Sequence, residues 1–115
     1  MSNPGRVGLL AGLLLLGTDS VVASQRFEDG QRVYAAVCAR CHDTGAGGAP
    51  VTAQPDDWPG RSPLWEAVLF EHVKQGYLEM PARGGEPGLT DYDVEAAAEY
   101  MLDLSHPAYP RDSAD

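Results

Sequence analysis

Cysteine is almost missing from this chain. Two residues in 115 are cysteines, three positions apart, so no disulfide can tie distant segments together as it does in many small exported domains. Basic residues are also scarce, with 8 Lys and Arg against 17 Asp and Glu and a net charge of −9. No basic patch exists to meet phosphate, which argues against a nucleic-acid role. The acidic surface suits a soluble protein whose partner is positively charged. An apolar run of membrane-spanning length is lacking as well. Val7 to Leu16, behind Arg6, is interrupted by Gly17-Thr18-Asp19-Ser20, well short of the about 20 residues that cross a bilayer. Strand-like alternation and internal repeats are absent, leaving helices and loops.

The apolar run has a role of its own. Together with Val21-Val22-Ala23 it reads as a secretory signal peptide over residues 1–23, cut after Ala23. The mature domain is then 24–115, with a core from 30 to 104 and a polar tail from 105 to 115. It carries no membrane span, and its expected location is the periplasm. No cysteine near the cleavage point offers a lipid anchor. Arg6 and Asp19 leave together, so the net charge stays at −9.

Periodicity predicts three helices in a small all-α domain. The first runs from about Gly30 to Cys41, with Tyr34, Val37, Cys38 and Cys41 on one stripe. The second opens with Ser62 as N-cap and Pro63 at the first helical position, and stops near Gly76. Its apolar face is Trp65, Val68, Leu69 and Val73. The third opens with Thr90 and Asp93 in a capping-box arrangement and ends before Pro107. It aligns Val94, Ala97, Ala98 and Met101.

Both cysteines fall in Cys38-Ala39-Arg40-Cys41-His42. That order is the attachment signal for a c-type haem, in which two thiols bond to the haem vinyl groups and the histidine ligates iron. Residues three and four apart share a helix face, so all three side chains can reach one flat ligand. A chain this short buries a modest core, and a covalently held haem would enlarge it. It would also organise the irregular stretch Asp43 to Arg61, whose length is otherwise hard to reconcile with a compact domain. A second iron ligand would come from Met80, Met101, His72 or His106. Met101 lies on the third helix's apolar stripe, His72 beside the second helix's apolar face, and His106 at the start of the polar tail. Met80 lies in Gly76-Tyr77-Leu78-Glu79-Met80-Pro81-Ala82-Arg83-Gly84-Gly85, on neither a helix face nor a strand face. Ligating iron or covering an apolar cofactor would each explain it.

These segments, with Trp58-Pro59-Gly60-Arg61 and Glu95 to Met101, resemble the class I monohaem cytochromes c, most closely the cytochrome c5-like group. The resemblance spans most of residues 30–104. It implies a small cytochrome c fold, with three main helices and long loops wrapped around one covalently bound haem c. It also implies thioether bonds at Cys38 and Cys41, axial ligation of iron by His42 and Met80, and a Pro50 carbonyl accepting a hydrogen bond from His42. Gly30 and Tyr34 would cross the last helix near Ala97 and Tyr100, while Trp58 and Arg61 would approach a haem propionate. The second cysteine pair common in that group is absent, with Glu86 at the position of one member.

The implied function is electron transfer by an Fe(III)/Fe(II) couple, as a carrier and not an enzyme, between a redox-protein donor and acceptor. The alternative is a cytochrome subunit that accepts electrons from a flavoprotein dehydrogenase in a flavocytochrome complex. A thiol-redox site would follow a strand in a βαβ setting, and a helix precedes these cysteines. Zinc would need two further ligands, for which His72 and His106 have no finger-like spacing.

Overall fold

The computed structural model describes residues 18–58 and 63–107. Four helices order them: α1 (Thr18–Val33), α2 (Ala39–His42), α3 (Pro63–Gln75) and α4 (Asp91–Ser105). A π-helical turn, Tyr34–Cys38, joins α1 to α2 without a break. Apart from one isolated bridge between Tyr77 and Met80, the remaining regular structure among the described residues is single 3₁₀ turns. None of the described helices is long and apolar enough to cross a membrane.

The core lies where α1 crosses α4. Val94, Ala96, Ala97, Ala98, Met101 and Leu102 of α4 are buried, with Val33 of α1 and Tyr34 of the π turn against them. Gly30 makes the crossing close, since a Cβ there would stand 2.2 Å from the carbonyl oxygen of Ala96. Glycine inside a helix costs about 1 kcal/mol relative to alanine, and this contact is the reason it is tolerated. Tyr100 packs between Phe27 and Tyr34, with ring centroids at 5.1 and 5.3 Å. The expected contact of Gly30 and Tyr34 with α4 is therefore present.

The ends of the helices follow local chemistry. Thr90 Oγ1 accepts from the Asp93 amide at 3.1 Å, and Asp93 Oδ2 accepts from the Thr90 amide at 2.9 Å. That reciprocal box starts α4 where the sequence placed it. Gly76, at φ +87°, ends α3, and its amide donates to the His72 carbonyl. Lys74 bridges Glu71 and Glu95, tying α3 to α4. The Ser62 cap lies outside the described residues, as do Arg61, most of the expected leader and most of the polar tail.

The first helix begins at Thr18 instead of near Gly30 and passes through Ala23 without a break. Residues 18–29 have too few apolar side chains for periodicity to show. From Arg26 on, the helix is held by α4: Arg26 donates to both carboxylate oxygens of Glu99, at 2.6 and 3.1 Å. Its guanidinium lies over the Tyr92 ring, and the Tyr92 hydroxyl donates to Asp29 at 2.8 Å. Half-exposed pairs of this kind contribute up to about 1 kcal/mol, enough to extend a helix that is already nucleated.

Candidate functional site

The π turn decides how the Cys-x-x-Cys-His segment faces the molecule. The Ala39 amide bonds to the carbonyl of Tyr34, five residues back, so the turn holds one residue more than an α-turn. Every later side chain is displaced by one position, roughly 100° of rotation. His42 therefore takes the inward place that unbroken α-periodicity assigned to Cys41. It is 8% exposed, Cys38 is half-buried and Cys41 is exposed. Both thiols are free.

His42 is held by the loop that follows it. Its Nδ1 lies 2.8 Å from the carbonyl oxygen of Pro50. A carbonyl can only accept, so Nδ1 carries the proton and Nε2 keeps its lone pair for a metal. The Thr52 amide donates to the His42 carbonyl at 2.8 Å. Trp58 stacks on the imidazole at 5.8 Å between centroids, and its ring N–H donates to the Val51 carbonyl. The Val51 amide in turn donates to Asp57, and Ser105 Oγ accepts from Ala53. The described part of the loop, Asp43 to Trp58, is thus tied to His42 and to α4 by backbone and side-chain bonds. Tyr34 donates to Asp43, and burial followed by this bond pushes its pKa up to about 12.

The Met80 segment is built from turns. Tyr77 and Met80 exchange backbone bonds at 3.0 and 2.9 Å, closing a two-residue turn with Leu78 at φ +52°. Gly76 allows the chain to fold back, for a Cβ there would meet Ala82 N at 3.0 Å and Met80 O at 3.1 Å. Farther on, a Cβ on Gly84 would stand 2.7 Å from Cγ1 of Val37. The Met80 segment therefore lies against the turn that carries Cys38. The other ligand candidates are engaged elsewhere: Met101 is in the core, His72 stacks on Tyr77 at 3.8 Å, and His106 ends α4.

This donor set suits a haem. Two free thiols and a histidine with its outer nitrogen available share one helical segment, and a thioether lies on a loop packed against it. Helix α3 supplies an apolar wall: Val68, Leu69 and Val73 are only half-buried, and Trp65 is 45% exposed. Among the described residues no group of three or more His, Cys, Asp and Glu could hold a metal ion, so the cysteines lack a zinc partner set. Burial pushes the Cys38 thiol up to about 11, opposite to the lowered pKa of catalytic dithiols. Sequence reasoning missed the π turn, the Trp58 stack on His42 and the Tyr34–Asp43 bond. Only the last left a trace, an aromatic and a carboxylate bracketing the motif.

Comparison with known proteins agrees with this chemistry. Residues 25–101 match a family described as "Cytochrome C oxidase, cbb3-type, subunit III". The chain is similar to cytochrome c-555 of Prosthecochloris aestuarii, 38% identical over 93 residues, which cover 74% of this chain and 94% of that one. Cytochrome c-551 of Halorhodospira halochloris is 40% identical over 78 residues, covering 64% and 95%. Cytochrome c6 of Porphyra purpurea is 32% identical over 96 residues, covering 79% and 83%. A solved chain from an electron transfer complex of nitrite reductase with cytochrome c superposes with a TM-score of 0.59 at 29% identity. It covers 67% of this chain and 94% of its own length.

Proposed function

The chain belongs to the class I c-type cytochromes, small monohaem electron carriers with covalently bound haem c, and on that premise we propose how its own residues serve the iron. Cys38 and Cys41 would hold the haem through two thioether bonds, and His42 and Met80 would ligate its iron. The observation that carries this reading is the 2.8 Å bond from His42 Nδ1 to the Pro50 carbonyl. It fixes the tautomer, aims Nε2 and makes the imidazole a stronger donor. Bound haem supplies one reversible electron at its iron.

The remaining contributions come from the protein. With His42 and Met80 both serving the iron, the chain would leave no place there for a substrate, which suits a carrier. The soft Met80 thioether favours the ferrous state and raises the potential relative to a second histidine. The apolar face of α3 excludes water, and a low dielectric penalises the extra charge of the ferric state. Trp58 backs the His42 ring, while its N–H is committed to Val51. A propionate contact would then fall to Arg61.

Export belongs to the same reading: residues 1–23 act as the leader, and cleavage after Ala23 keeps Arg26, Phe27 and Asp29 for their contacts with α4. The periplasm is the expected site of work. The partner is a redox protein with a basic docking face, for which the −9 charge is the support. A flavoprotein dehydrogenase is one donor class that such a face would suit.

A Met80→His variant tests the ligand set. The reduction potential should fall clearly while haem stays bonded, and the weak far-red band of a thioether on ferric iron should vanish. Potentiometric titration with visible spectra reads both. An unchanged potential removes Met80 from the iron.

A further inference from the structure

Arg83 is a non-glycine residue in the left-handed region, at φ +54°, beside Gly84 and Gly85, which share that backbone region. Glycine adopts this conformation more readily than arginine, so the residue's presence calls for a side-chain reason. The guanidinium supplies one. Its Nη1 donates to the carbonyl oxygen of Leu89 at 3.0 Å, and its Nη2 donates to Oδ1 of Asp91 at 2.5 Å. Leu89 precedes the N-cap of α4 and Asp91 is the first residue of that helix. The other bonds near it, Gly84 to Pro81, Glu86 to Arg83 and Leu89 to Glu86, shape the segment internally. The guanidinium fastens it to α4, the element that holds most of the core.

We propose that Arg83 is the positioning residue for Met80. By clamping the segment after Met80 to the start of α4, it keeps the thioether at the iron. The proposal rests on the reading of Met80 as a ligand. A loop-borne ligand is lost whenever its loop opens, and loops open far more often than the whole molecule unfolds. Interactions that close the loop then set how often the ligand leaves.

The test is Arg83→Gly in the full, haem-loaded protein, because backbone and side-chain roles give opposite results there. Glycine relieves the left-handed backbone and removes the clamp. The clamp predicts that hydrogen exchange at the Met80 and Gly84 amides rises about tenfold, as befits the loss of charged hydrogen bonds. Exchange at Ala97 and Ala98 stays as in the parent. The ferric far-red band should disappear at a urea concentration below that which melts the helices, and Arg83→Lys should recover part of both effects. Parent-like or slower exchange at Met80 in the glycine variant overturns the proposal, as does an equal rise throughout α4. So does faster exchange at Met80 with the band's urea dependence unaltered. A parent protein without the band, or a Met80→His variant that keeps it, overturns the ligand reading instead. The exchange rates then show whether the clamp itself exists.

Discussion

At the residue scale, single hydrogen bonds assign the chemistry of whole side chains. The Pro50 carbonyl fixes the proton of His42, and a change of side chain at position 50 would leave that oxygen in place. Tyr34 shows the same economy with a measurable consequence. Its pKa is raised from the ordinary 10 to about 12, so between these values the folded chain keeps a proton that the unfolded chain releases. The associated stability is whole below pH 10 and is lost as pH rises through about 12. Urea unfolding midpoints should therefore fall across that window, and Tyr34→Phe should flatten the fall. Equal slopes in the two proteins would show that the buried Tyr34 hydroxyl is not the titrating group. The acid side has the opposite sign. Arg83 holds the Asp91 carboxyl below its usual range, so that bond is complete above the ordinary carboxylate pKa and weakens as pH falls.

At the scale of elements, the π turn between α1 and α2 shifts the register of the attachment segment. One more alanine inserted after Ala36, beyond the single residue the turn absorbs, should rotate Cys38, Cys41 and His42 by roughly 100° relative to α4. The motif survives, so haem should still be bonded. Stability should drop by about 2–3 kcal/mol, a size typical of a disrupted core contact. Thermal melts with covalent-haem staining measure both; parent stability would mean that the turn sets no register. This element also marks the limit of sequence reading. Thr90 with Asp93, Pro63 and Gly76 were legible because each acts within a few residues of itself. The buried face of α4 was legible because its period is regular. The helical stretch from Thr18 to Gly30 was not, since Arg26 finds Glu99 73 positions away. No local pattern announces an extra residue in a helical turn. His42 and the thiols could be read from their spacing, whereas the Pro50 contact came through family resemblance and the Trp58 stack through neither.

Across the whole molecule, acidic side chains outnumber basic ones 17 to 8. With a net charge of −9 the approach of the basic redox partner proposed above should be accelerated at low salt and screened at high salt. Stopped-flow rates with such a partner should fall steadily as ionic strength rises from about 0.02 to about 0.5 M, over which the screening length shrinks severalfold. A flat profile would show that the acidic surface does not steer the encounter.

The Gly30–Ala96 contact has one more consequence, in the order of synthesis. It joins the beginning of the core to its end, and among the described residues six of the eight buried apolar side chains lie beyond residue 93. A chain emerging from its N-terminus therefore has nothing to pack against until its last helix has been made. During that interval Cys38, half-buried in the finished fold, lies on an unfolded segment and is as open to bond formation as Cys41.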